Sequence, residues 1–87
     1  MAKAIRIYTI RPCSFSSEAL KLLEELGVDF ENVDLSDAPY ERSKLIQQTG
    51  RRTFPQVFVE QRCIGGYTTL ADLIDGGEFQ AMIADES

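Results

Sequence analysis

The chain carries two thiols and no histidine, so nucleophilic or proton-transfer chemistry must rest on cysteine, carboxylates or water. Cys13 is the thiol placed to react. The run Ala4 to Thr9 is rich in β-branched and aromatic residues and reads as a strand, and apolar spacing of three and four begins just after Cys13. Cys13 therefore falls where a strand gives way to the first turn of a helix. Pro12 suits such an entry, because its φ is fixed and it has no N–H to leave unpaired. Backbone N–H groups without intrahelical partners point toward a thiolate there, and the positive end of the helix dipole favours it. A thiol so placed ionises below its ordinary value of about 8.5 and becomes a nucleophile at cellular pH. Many cysteines are instead small, inert core residues, but Pro12, Ser14 and Ser16 are poor core company. Cys63, inside a short apolar strand, fits that inert description.

The elements that must position Cys13 alternate along the chain. A helix from about Ser14 to Leu26 follows it, with Ala19, Leu22, Leu23 and Leu26 on its buried stripe and Gly27 as its stop. Val28 to Leu35 holds a short second strand. Asp37 reads as the cap of a second helix, with Pro39 in its first turn and Gly50 at its end. Gln56 to Val59 is a third strand, and Glu60-Gln61-Arg62 a tight connection into a fourth at Cys63-Ile64. Gly65-Gly66 breaks that strand, and Thr69 with Asp72 three residues on reads as a capping-box-like start of another helix. A last short helix spans Phe79 to Ile83. The order β-α-β-α-β-β-α predicts an α/β fold, its first two strands joined by a right-handed crossover and its last two by a hairpin.

Composition narrows the classes. The 87 residues make one domain, 1–87, with room for one core. A net charge of −5 argues against nucleic acid as the main partner. Two cysteines do not make a secreted disulfide scaffold, and no cluster of metal-ligand spacing stands out. With no signal-like apolar run and no span of membrane length, the expectation is a soluble, cytoplasmic protein that does not engage membranes.

Four pieces, in register, resemble the glutaredoxins, the glutathione-dependent branch of the thioredoxin fold. They are Tyr8-Thr9 followed by Cys13-Ser14-Phe15-Ser16, then Gly50-Arg51-Arg52-Thr53-Phe54-Pro55, then Gln56-Val57-Phe58-Val59, then Cys63-Ile64-Gly65-Gly66-Tyr67. The resemblance covers nearly the full length and implies a four-stranded mixed sheet flanked by helices. It implies glutathione as co-substrate and glutathionylated proteins as partners. It also assigns roles. Thr53-Phe54-Pro55 looks like the family's cis-proline turn, which would offer the Phe54 backbone to an extended peptide as a strand edge does. Gly66, Tyr67 and Thr68 look like its anion site at a helix N-terminus, suited to the γ-glutamyl carboxylate. Arg42 matches the position that reaches the glycine carboxylate, and Phe15 sits beside the thiol. Arg11 adds positive field, whereas Arg51 and Arg52 read chiefly as solvated charges after a helix C-terminus.

Departures from the family pattern bear on mechanism. The usual lysine three residues before the active cysteine is Ile10, which Arg11 replaces in part. Thr68 stands where an acidic residue often contacts the γ-glutamyl amine. Ser16 occupies the place of the second thiol, so Cys13 cannot close a disulfide within its motif. Dedicated C-G-F-S monothiol members carry an inserted loop before the cysteine and a Trp-Pro pair. This chain has no Trp, and only Ile10, Arg11 and Pro12 separate Thr9 from Cys13. It looks like a dithiol-type scaffold carrying a one-thiol site. The expected activity is reduction of protein–glutathione mixed disulfides through Cys13, with Ser16 offering its hydroxyl to the thiolate. The rival expectation is a [2Fe–2S] carrier, a dimer in which each chain supplies Cys13 and each of two glutathiones a thiol. Without a cluster the expected state is a monomer. A thioredoxin-fold binding module without turnover is the third reading.

Overall fold

The computed structural model describes residues 3–84. Its sheet has the order β2-β1-β3-β4. Strand β1 (Ile5–Thr9) runs parallel to β2 (Glu31–Asp34) and antiparallel to β3 (Gln56–Val59), and β3 pairs antiparallel with β4 (Arg62–Gly65). Between them lie α1 (Ser14–Leu26) and α2 (Pro39–Thr49), and α3 (Tyr67–Asp75) and α4 (Glu78–Ile83) close the chain. The fold is the expected α/β thioredoxin type. The parallel β1–β2 pair needs the α1 crossover, while the antiparallel β3–β4 pair needs only the turn at Glu60.

Alternation along β1 decides which side chain meets which layer. Ile5 and Ile7 face α1, α3 and α4 in a core with Ala19, Leu23, Val57, Val59, Leu70, Phe79 and Ile83. Tyr8 and Ile10 face the other way, toward α2, against Leu35, Leu45, Phe54 and Phe58. Tyr8 meets Phe58 edge-on, with ring centroids 5.4 Å apart. The two layers are unequal: three helices cover one face and α2 alone covers the other.

Three local expectations are corrected. The second strand is shorter than Val28 to Leu35, because Val28 and Phe30 pack as a loop against the three-helix core and pairing begins at Glu31. Asp37 does not cap α2. Ala38 is the N-cap, with no side-chain hydrogen bond, and Pro39 supplies the first turn without an N–H to satisfy. Thr69 does not cap α3 either. That helix starts two residues earlier, with Gly66 as N-cap, and the Thr69 side chain lies against Gly65. A Cβ on Gly65 would fall 2.8 Å from Thr69 Oγ1, and its φ of 134° already favours glycine.

Candidate active site

Cys13 is the N-cap of α1, with extended backbone angles (φ −157°, ψ 114°) and no side-chain cap. The first α1 hydrogen bond runs from the Ser17 N–H to the Cys13 carbonyl at 3.2 Å, so the N–H groups of Phe15 and Ser16 remain unengaged by the helix. Partial burial pushes the thiol up, but the Ser16 N–H, the Ser16 hydroxyl and the Phe15 N–H together outweigh it and hold the thiol below its ordinary value. Ser16 is buried, and its oxygen accepts the Ile10 N–H at 3.4 Å. That bond occupies a lone pair and leaves the hydroxyl proton free for the thiolate.

A turn from Gly50 to Pro55 approaches the sulfur from the other side. The protonated thiol donates to the Phe54 carbonyl at 3.7 Å, and the Phe54–Pro55 peptide bond is cis, as expected from sequence. The Arg11–Pro12 bond is cis as well. Gly66 then brings β4 into α3 so closely that a Cβ there would sit 3.2 Å from the Pro55 carbonyl. The first α3 hydrogen bond is Leu70 N–H to Gly66 carbonyl, 3.0 Å, which leaves the N–H groups of Tyr67, Thr68 and Thr69 as orphan donors at the positive end of the helix.

These parts frame a groove of about 280 Å³ lined by Phe15, Thr53, Phe54, Pro55, Gly66, Tyr67 and Thr68, together with Arg51 and Thr69. Seven residues singled out in the sequence thus share one surface beside Cys13. Phe15 and Tyr67 stack across it, with centroids 5.6 Å apart, although Phe15 is otherwise largely exposed. Among the described residues the lining holds one cation, Arg51, and no carboxylate, in a chain of net charge −5. Such a lining is electrostatically suited to an anion.

The two other arginines singled out are held elsewhere. Arg11 pairs through Nε with Asp34, and its backbone N–H donates to the Ser36 hydroxyl at 2.7 Å. Ser36 donors, ahead of the Arg11 guanidinium, hold the Asp34 carboxyl below the usual range. Arg42 donates from Nη2 to the Ser36 carbonyl at 3.2 Å, and its buried Nε has no partner. Neither lines the groove, so the Asp34–Ser36 turn ties the Cys13 loop to α2. Two sequence expectations fall short here: Thr69 is not a cap and Gln56 is more than an ordinary strand residue, whereas Arg51 is exposed, as a solvated charge is, and also lines the groove. A signal for Gln56 exists in the sequence: it is the polar member of a strand otherwise made of Val57, Phe58 and Val59.

A four-stranded sheet of this order, with a thiol of lowered pKa at a strand-to-helix join facing a cis-proline turn, defines a thioredoxin-fold thiol protein. The comparisons narrow the class. The glutaredoxin family model matches residues 5–64. A Legionella pneumophila protein named "Probable monothiol glutaredoxin GrlA" is 38% identical over 73 residues, covering 84% of this chain and 82% of its own. A Pseudomonas aeruginosa glutaredoxin is 31% identical, covering 90% and 93%. Among solved structures, a Brucella melitensis glutaredoxin superposes with a TM-score of 0.83 at 32% identity, over 94% of this chain and 89% of that one. A buckwheat glutaredoxin–glutathione complex also gives 0.83, at 28% identity over 91% and 74%. The chain belongs to the glutaredoxin family.

Proposed function

We propose that the protein reduces protein–glutathione mixed disulfides by a one-thiol route through Cys13. The observation that carries this is a thiol of lowered pKa, with Ser16 as its motif partner, opening onto an anion-receptive groove. Cys13 thiolate attacks the glutathione sulfur of the mixed disulfide. The S–S bond breaks, and the protein thiolate leaves and takes a proton from water. A second glutathione thiolate then attacks the Cys13–glutathione disulfide, which regenerates Cys13 thiolate and releases oxidised glutathione. One free glutathione thiol is consumed per turnover, and the disulfide passes from the protein–glutathione pair to a glutathione–glutathione pair, so no further reductant is needed.

The groove divides the binding work. The Phe54 backbone pairs with the cysteinyl part of glutathione, flanked by Thr53 and Pro55. The N–H groups of Tyr67 and Thr68, brought close by Gly66, take the γ-glutamyl carboxylate, and Phe15 covers the sulfur. Arg42, held on the Ser36 carbonyl outside the groove lining, is assigned to the glycine end, which it reaches only by leaving that carbonyl, and Arg11 acts through its field. The buckwheat relative, solved with glutathione, supports the ligand class. Cys63 packs in the α2-side core with Phe58 and Cys13 opens on the groove, so a [2Fe–2S] centre would draw only Cys13 from each chain. Cytoplasmic glutathione is the pool this reading expects.

Turnover of a glutathionylated peptide tests the reading. Cys13→Ser is expected to abolish exchange and Cys63→Ser to keep most of it. Equal loss in both variants would make Cys63 a resolving thiol and end the one-thiol mechanism.

A further inference from the structure

We propose that Gln56 is a positioning residue that clamps the turn after α2 into the wall of the groove. The role rests on the reading of that groove as the glutathione site, and neither Gln56 nor its partner Thr49 lines it. Gln56 is fully buried, yet both ends of its amide are matched. Nε2 donates to the carbonyls of Arg51, at 2.8 Å, and Thr53, at 3.3 Å. Oε1 accepts from the Thr49 hydroxyl at 3.0 Å. The amide can point only this way, because its reverse would set Oε1 against two carbonyl oxygens. Thr49 shares its single proton between Gln56 and the Leu45 carbonyl at 3.1 Å, and its oxygen accepts the Arg51 N–H at 3.2 Å.

One side chain on β3 therefore fixes residues 49, 51 and 53. The segment it holds has no ladder of its own, since residues 50–55 lie outside every strand and helix. Gln56 itself is anchored by pairing with Tyr8 on β1. Arg51 and Thr53 line the groove, and the next residue presents the carbonyl that meets Cys13 Sγ. A hydrophobe at 56 would pack as its neighbours do and leave two turn carbonyls unpaired. The thiol, in contrast, is tuned by Ser16 and Phe15 on α1, neither of which shares a hydrogen bond with Gln56.

That separation supplies the test. Gln56→Met keeps the side-chain length and removes both polar ends. It is expected to raise KM for a glutathionylated peptide about fivefold to tenfold with kcat within about twofold. The pH profile of Cys13 alkylation should stay where it is. Ile5→Val, a core change on the opposite face, serves as the destabilised control and should leave KM alone. Gln56→Glu, isosteric with the native residue, carries the test if Gln56→Met fails to fold. Its KM relative to wild type should worsen as pH rises and its carboxyl ionises against the two carbonyls. A folded Gln56 variant with wild-type KM would overturn the clamp. Amide hydrogen exchange at Arg51 and Thr53 is read in parallel, without glutathione, and should speed up in both variants. If the wild type does not turn over glutathione mixed disulfides, the functional reading falls, and unchanged exchange alone then overturns the clamp.

Discussion

The two faces of the sheet are built to different standards. On one, Ile5, Ile7, Val57 and Val59 meet α1, α3 and α4 in a nine-residue buried core, with Leu20, Leu22, Leu26 and Ile64 packed around it. On the other, four buried residues and the partly buried Tyr8, Ile10 and Val33 meet α2 alone. Open slots remain beside α2, between Tyr8, Leu35 and Leu45 and again beside Phe58. The thiol belongs to the first face, because α1 is clamped over its length and its N-terminus cannot move without the core moving. The groove wall belongs to the second, since the turn that carries Arg51, Thr53 and Phe54 follows α2. A rigid nucleophile meets a wall hung on a thinner layer, which is why that wall carries polar fastenings beside the packing of Phe54.

The largest expected effect would break this contrast or establish it. Leu23→Ala, on the three-helix face, should cost about 3–5 kcal/mol, much of the stability of a chain this small. Leu45→Ala on α2 should cost about 2 kcal/mol, because the removed methyls lie beside a slot that can relax or admit water. Urea denaturation of both variants gives the comparison. Equal costs would mean that α2 is as firmly packed as α1, and the thin-layer account would fail.

Much of this was legible beforehand, and the failures share a cause. Strand–helix order, the buried stripe of α1 and the place of Cys13 follow from periodicity and from Pro12 and Gly27, which act locally. The cis bond before Pro55 and the grouping of Phe54 with Gly66 came through the resemblance, because nothing local reports a contact between residues so far apart in the chain. The two capping errors arose where Asp37 and Thr69 are good caps in type but Pro39 and the Gly65–Gly66 break set the helix starts instead. The part Gln56 plays is not legible locally, because it comes from where a turn folds back onto β3. A buried polar residue in an apolar strand was the available clue.

A smaller effect sharpens the contrast on the α2 side. Arg42 is held by the Ser36 carbonyl, with its Nε buried and unpartnered, so its charge is oriented but lacks a counter-ion among the described residues. If it serves the glycine carboxylate of glutathione, Arg42→Gln should weaken glutathione use by about 1 kcal/mol, roughly fivefold, chiefly in affinity. The loss should shrink at high salt, as expected of a partly exposed pair. Kinetics across glutathione and salt concentration provide the check, and an unchanged dependence on glutathione would remove Arg42 from the site.

The smallest expected effect lies on the rigid side. Ser16 contributes to the thiolate twice, through its N–H and through its hydroxyl, and Phe15 contributes a second N–H. Ser16→Ala removes only the hydroxyl, because α1 still holds both backbone donors in place. The thiol should therefore titrate somewhat higher than in the wild type, and no further than the lost hydroxyl bond requires. The sign follows from which form is favoured. A lowered thiol pKa stabilises the folded chain at pH above the ordinary thiol range, and that contribution is lost as pH falls through the folded value. Ser16→Ala should thus reduce stability at alkaline pH and leave it nearly unchanged at acid pH, apart from the Ile10 N–H that loses its acceptor. Iodoacetamide alkylation rates across pH locate the thiol in both proteins. An unmoved profile would show that the backbone of α1 alone sets the nucleophile, with the serine serving only to join β1 to the helix.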